Sequence, residues 1–119
     1  MKPETQKLLD RTFNFGVNCL RFISLLPHNS EYNVIKNQLA KSSTSIGANY
    51  EEAQAAESRK DFSHKIGIAS KETRESHYWL RLMKEISDNN VDSKVLNDLI
   101  KEAMELKKIF ISIKLSVQN

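Results

Sequence analysis

The apolar residues divide the chain into four segments, each with the spacing of an amphipathic helix. Turn-forming and polar residues interrupt this pattern at 27–30, 57–61 and 88–92. The segments between them predict helices over about 4–26, 30–57, 58–88 and 92–117. Long helices joined by short connections favour antiparallel neighbours. We therefore predict an all-α fold, one domain over 1–119 that forms an antiparallel up-down-up-down four-helix bundle.

The fourth segment has one apolar stripe, whereas the first segment has two. The stripe of the fourth segment has heptad spacing and comprises Leu96, Leu99, Ala103, Leu106, Phe110 and Ile113. The first stripe of the first segment is Leu9, Phe13, Gly16, Leu20 and Ile23, and the second is Leu8, Phe15, Cys19, Phe22 and Leu26. A helix that is apolar over so wide an arc contacts two neighbours, or one neighbour and another subunit.

The second segment carries a serine-rich stretch at 41–45 without losing its helical period. We therefore predict one continuous helix with a polar seam, and polar groups that are buried need hydrogen-bonding partners. The third segment offers such partners, because Glu72 and Glu75 share a stripe with Trp79. The sequence thus predicts a polar layer in the middle of the bundle. Its predicted members are Ser42, Ser45, Asn49, Glu72 and Glu75.

Two motifs carry a family resemblance. The first is 38–53, Gln-Leu-Ala-Lys-Ser-Ser-Thr-Ser-Ile-Gly-Ala-Asn-Tyr-Glu-Glu-Ala, and the second runs from Asp61-Phe62 through Ile68-Ala69 and Lys71-Glu72 to Glu75 and Tyr78-Trp79-Leu80. Together they resemble the signature of the 23S rRNA intervening sequence proteins of bacteria. The resemblance implies a compact four-helix bundle that assembles as a homopentamer. It implies no enzymatic activity and transfers no catalytic residues.

The same resemblance extends, more distantly, to the accessory variability determinants of diversity-generating retroelements. Those proteins bind nucleic acid and a reverse transcriptase. For this chain the resemblance implies RNA or DNA as a partner, or a protein partner such as a nucleic-acid enzyme.

The composition argues against a disulfide-rich protein, a membrane protein and an exported protein. The single cysteine excludes an internal disulfide framework and a cysteine-rich zinc site. No apolar run approaches the roughly 20 residues of a membrane span, and Glu4 lies where a signal peptide is apolar. We expect a cytoplasmic protein without membrane association.

The candidate chemical groups do not form a recognisable catalytic or metal-binding motif. A di-iron bundle needs Glu-x-x-His pairs, and the nearest equivalent is Asp61 with His64 at a predicted helix start. Cys19 has only apolar residues and glycine at helical spacing, which is typical of a core cysteine. We predict no enzyme, no metal and no cofactor. A carboxylate or metal site at Glu72 and Glu75 is the remaining enzymatic alternative.

The charge balance favours an anionic partner only when several copies act together. With 18 Lys and Arg against 15 Asp and Glu, one chain carries a net charge of +3, and five copies would carry five times that. Repeated basic patches bind phosphate by releasing counterions. The predicted nucleic-acid-binding residues are Lys65, Arg74, Arg81, Lys101, Lys108 and Lys114. If exposed, Tyr50 and Tyr78 would stack on bases.

Two alternatives to nucleic-acid binding follow from the same residues. The basic side chains are equally typical of an ordinary solvated helix surface. The second apolar stripe of the first helix, which includes Phe15 and Phe22, would suit a protein-binding adaptor. Ionic strength separates nucleic-acid binding from an adaptor function, because salt weakens phosphate contacts steeply and leaves apolar interfaces intact.

Overall fold

The computed structural model describes residues 1–118, which form four α-helices joined by short turns. The helices are α1 (Pro3–Ser24), α2 (Ser30–Ala53), α3 (Arg59–Ile86) and α4 (Ser93–Gln118). The described residues contain no strand, so the predicted all-α class is confirmed. The helix bounds lie within two residues of the predicted ones, except at the end of α2.

Short polar side chains fix where the helices begin. Asn29 Oδ1 accepts a hydrogen bond from the backbone N–H of Tyr32 at 2.8 Å, and Ser58 Oγ accepts one from Asp61 at 3.0 Å. Asp92 Oδ1 accepts from Val95 at 3.1 Å at the start of α4. Each cap satisfies an N–H group that has no partner within its own helix.

The second helix ends at Ala53, four residues before the predicted end at 57. There the N–H groups of Gln54, Ala55 and Ala56 donate to the carbonyls three residues earlier, at 3.0–3.2 Å. Such three-residue hydrogen bonds tighten the backbone and close an α-helix. The last turn of α2 also has acidic residues and no basic one, a combination that the helix dipole disfavours.

Successive helices pack side by side, in the order α1, α2, α3 and α4. The least extensive contact is between α1 and α4, which flank a cleft of about 810 Å³ whose lining includes Phe22 and Leu99. The molecule measures 47 × 24 × 20 Å. Short connections and this neighbour order give the predicted four-helix bundle, with an apolar core between the helices.

The core shows which apolar stripe of α1 faces inward. The second stripe is buried along its whole length, from Leu8 to Leu26. The first stripe instead leaves Phe13 70% exposed and Leu20 45% exposed. The prediction that the second stripe serves as an adaptor surface is therefore wrong, because its side chains form the core.

The polar layer differs from the predicted one in its partners. Ser42 is buried, and its Oγ accepts a hydrogen bond from Ser76 Oγ on α3 at 2.8 Å. Ser45 Oγ donates to the Lys41 carbonyl at 2.7 Å, and Asn49 Nδ2 donates to the Ser45 carbonyl at 2.8 Å. These short side chains reach carbonyls of their own helix, so they do not need Glu72 or Glu75 as partners.

Candidate nucleic-acid interface

Four exposed cations lie on the adjacent helices α3 and α4. Arg74 and Arg81 are on α3, and Lys101 and Lys108 are on α4. Residues seven apart lie two helical turns apart on the same side of a helix. Within residues 1–118 none of the four forms an ion pair with a carboxylate. We call these four residues the basic face.

Burial and the charge of the basic face lower the pKa of His77, which lies between Arg74 and Arg81 in the sequence of α3. Its side chain is buried, and residues of both helices act on it. Burial lowers the pKa of the His77 imidazole, and the positive charges of Arg81 on α3 and Lys107 on α4 lower it further. Positive charges from α3 and α4 thus act on the same buried side chain.

An exposed aromatic ring accompanies these cations. Tyr78 is 47% exposed, and the Arg81 guanidinium carbon lies 5.8 Å from its ring centroid. The Trp79 ring stands nearly perpendicular to it, with 5.0 Å between centroids. Tyr50, the other predicted stacking residue, is buried against Phe110, so only Tyr78 is open to a base.

The two remaining predicted cations are held by contacts within the bundle. Lys65 Nζ lies 3.4 Å from Glu52 Oε1 on α2. Lys114 Nζ donates to the carbonyl and to Oγ of Ser63 on α3, at 2.7 and 2.9 Å. Both amines already have partners within the bundle, so we do not include Lys65 and Lys114 in the basic face.

The carboxylates of α3 lie at the edge of the bundle. Burial raises the pKa of Glu72, and the nearby charge of Glu75 raises it further. Glu75 Oε1 accepts a hydrogen bond from Trp79 Nε1 at 3.4 Å. No group of three or more His, Cys, Asp or Glu side chains in residues 1–118 is placed to hold a metal ion.

The lone thiol is a poor nucleophile in this environment. Cys19 is completely buried in the core, and burial raises the pKa of its thiol to about 12. A thiol needs to ionise to react as a nucleophile. Cys19 therefore packs as a small apolar side chain, as its spacing predicted.

Sequence reasoning missed the part that His77 and Lys107 take in this surface. His77 follows Arg74 by three residues and precedes Arg81 by four, so the pattern on α3 was visible. The position of Lys107 near His77 could not be predicted from the sequence, because it depends on how α3 and α4 pack.

The fold defines the protein as a small four-helix bundle, and comparisons with known proteins identify its family. The sequence model of a protein family, described as 23S rRNA-intervening sequence protein, matches residues 4–112, so the chain belongs to this family. It is 33% identical to a protein of unknown function from the S23 ribosomal protein family of Bacteroides thetaiotaomicron, known from a crystal structure. The TM-score is 0.78, and the match covers 89% of this chain and 96% of that one.

A comparison with curated proteins finds no significant match. Neither the description of the family nor that of the Bacteroides protein names a catalytic activity. In the part of the chain that the structure describes, no helix is long and apolar enough to span a membrane.

Proposed function

We propose that the protein is a non-enzymatic, oligomeric nucleic-acid-binding protein that holds structured RNA or DNA against its basic face. The observation that carries this proposal is that Arg74, Arg81, Lys101 and Lys108 form no ion pair with a carboxylate among residues 1–118. Glu105, which lies one helical turn from both Lys101 and Lys108, already has a partner, because Arg11 on α1 lies 2.7 Å from both Glu102 and Glu105. Exposed cations without such partners are available to phosphate groups.

Oligomerisation is the second part of the proposal. One chain carries only +3, which holds a polyanion weakly. A ring of five copies, the assembly that the family resemblance implies, would repeat the basic face around its circumference. Linked copies of a weak site bind a long polyanion much more tightly than one copy does.

The surface that supports assembly is the exposed first stripe of α1. Phe13 and Leu20 flank a groove of about 640 Å³ between α1 and α2, which is also lined by Gly47 and Ala48. An exposed phenylalanine beside an apolar groove can pack against an apolar side chain of another protein and lose its contact with water. A second copy of the chain is the occupant that we propose for this groove.

The same exposed stripe favours a second candidate function, a protein-binding adaptor without a nucleic-acid role. Phe13 and Leu20 would then contact a different protein, such as a nucleic-acid enzyme. In either case we place the protein in the cytoplasm, where such partners occur. The relation to accessory variability determinants stays a prediction.

Salt titrations with paired charge variants test the nucleic-acid proposal. We would measure binding of a fluorescein-labelled RNA stem-loop by anisotropy between about 50 and 200 mM salt. Each phosphate contact that is lost lowers the salt slope of the affinity by about one unit. The double variants Arg74→Gln/Arg81→Gln and Lys101→Gln/Lys108→Gln should each lower it by about two units.

The control for this experiment removes equal charge from another helix. Lys7→Gln/Arg21→Gln takes two exposed cations from α1 and should preserve the slope. Equal losses in the control and the test variants would mean that net charge, not the basic face, governs binding. No binding of the stem-loop even at about 50 mM salt would favour the adaptor.

A further inference from the structure

Tyr78 differs from the other tyrosines of the chain in its exposure. Tyr32 and Tyr50 are buried, whereas Tyr78 is 47% exposed at the centre of the outer side of α3. Arg74 precedes it by four residues and Arg81 follows it by three, so both lie in the same row of the helix. The half-exposed ring thus has an apolar face open to a ligand, with an exposed arginine on either side of it along the helix.

The ring of Tyr78 is also held in a defined orientation. The Trp79 ring stands at 81° to it with 5.0 Å between centroids, and the Arg81 guanidinium carbon lies 5.8 Å from the Tyr78 centroid. Edge-to-face and cation–π contacts of this kind favour one placement of the ring. A platform fixed before binding loses less entropy when a ligand stacks on it.

We propose that Tyr78 is a stacking platform for an unpaired base, and that Arg74 and Arg81 bind the phosphates on either side of that nucleotide. The base lies on the face of the ring that Arg81 covers in the free protein, and the Arg81 guanidinium moves to the phosphate. This inference rests on the proposed function, because the phosphates are contacted by two residues of the basic face.

The platform specifies the class of ligand. In a duplex the base faces are stacked on each other, so an aromatic ring can reach them only where a base is unpaired. Stacking on an aromatic ring accepts every base, since each has a π face. We therefore expect the site to take loop or single-stranded nucleotides with weak sequence preference.

The single tryptophan of the chain provides a local readout of this site. Trp79 touches Tyr78, so a base that stacks there changes the emission of the only indole in the protein. We would titrate the full chain with a short single strand and with the duplex of the same sequence, each as RNA and as DNA. Anisotropy of labelled strands gives the affinity, and Trp79 emission gives the place of binding.

Two variants of one residue separate stacking from charge. Tyr78→Leu removes the ring without altering the net charge, and should weaken single-strand binding by about tenfold while changing duplex binding by less than about twofold. Tyr78→Phe keeps the ring and should bind as the native chain does. Both variants should retain the native salt slope, because neither removes a cation.

The outcomes distinguish this inference from the proposed function. Native single-strand affinity in Tyr78→Leu, or binding without a change in Trp79 emission, would overturn the platform while a steep salt slope still supports the basic face. Equal losses in Tyr78→Phe and Tyr78→Leu would assign the contact to the hydroxyl and overturn stacking. No salt-dependent binding to either strand form would overturn both proposals.

Discussion

His77 is the residue at which the charge of the basic face affects the fold most directly. The residue is 8% exposed, and the positive charges of Arg81 and Lys107 act on its imidazole. A proton on His77 would add a third positive charge in a partly desolvated place. The fold therefore keeps this histidine neutral at pH values where an exposed histidine takes up a proton.

This environment predicts a stability that depends on pH. The folded pKa of His77 lies below its ordinary value of 6.5, so below pH 6.5 the unfolded chain binds a proton that the folded chain does not. The free energy of unfolding therefore rises with pH between the lowered pKa and 6.5, and this contribution is lost as the pH falls. We expect His77→Gln, which cannot titrate, to flatten that rise in urea unfolding. An unchanged pH profile in the variant would contradict the assignment.

The six predicted phosphate-binding cations show why the contacts of a single side chain could be predicted only in part. Six cations were predicted to bind phosphate, but Lys65 and Lys114 are held by Glu52 and Ser63 on neighbouring helices. Helical spacing tells which residues share a side of one helix. It does not tell which groups a neighbouring helix brings within reach, and long lysine side chains extend to whatever partner lies nearby.

At the scale of helices, α2 shows how a polar sequence can pack closely. Its serine-rich stretch stays helical because Thr44 and Ser45 donate to carbonyls of their own helix, at 2.8 and 2.7 Å. Its small residues then let α1 approach. A Cβ at Gly47 would meet the carbonyl carbon and Oγ1 of Thr12 at 3.3 Å, which are atoms of α1.

Two glycines in helices offer a matched test of this close approach. Alanine is favoured over glycine by about 1 kcal/mol in a helix interior. A Cβ at Gly67 would meet the end of the Lys114 side chain at 3.2 Å, where Nζ can shift slightly and keep its hydrogen bonds to Ser63, so Gly67→Ala should stabilise the fold by about 0.5 kcal/mol. At Gly47 the rigid α1 backbone must shift, so we expect Gly47→Ala to destabilise the fold by about 1 kcal/mol. Urea unfolding midpoints measure both, and equal gains would contradict the close approach of α1 and α2.

The sequence predicted which side faces the core better for α3 and α4 than for α1. One face of α4 is apolar, so its inner side follows from the sequence. In α1 both stripes have the correct period, and only the packing shows that Phe15 faces the core while Phe13 faces outward. The early end of α2 likewise depends on the turn at 54–56, where the sequence continues with good helix formers.

At the scale of the whole molecule, the basic face and the exposed stripe of α1 lie on different helix pairs. The first is on α3 and α4, and the second borders the groove between α1 and α2. Contacts at one surface therefore leave the other open. An assembly built through α1 and α2 would keep every copy of the basic face available to a polyanion, which is the arrangement that multivalent binding requires.

This separation predicts that assembly can be disrupted without touching the basic face. Phe13→Ser removes the most exposed aromatic ring of α1 and should shift the mass measured by light scattering from about five chains, roughly 68 kDa for chains of 13.7 kDa, toward one. Affinity for a long RNA should fall with it by about 100-fold or more, because linked sites are lost. Affinity for a ligand that occupies one copy should stay within about twofold, since each chain keeps its cations.

The control uses an exposed apolar residue on another helix. Leu115 of α4 is 58% exposed, and Leu115→Ser should leave both the mass and the affinity for long RNA unchanged. A native chain that elutes as a monomer would contradict assembly and leave one basic face of low charge, which binds nucleic acid only weakly by itself. A Phe13→Ser variant that keeps its mass but loses a protein partner would instead assign the α1 stripe to an adaptor. The two surfaces can therefore be assigned separately, because each variant changes one of them and leaves the other as a reference.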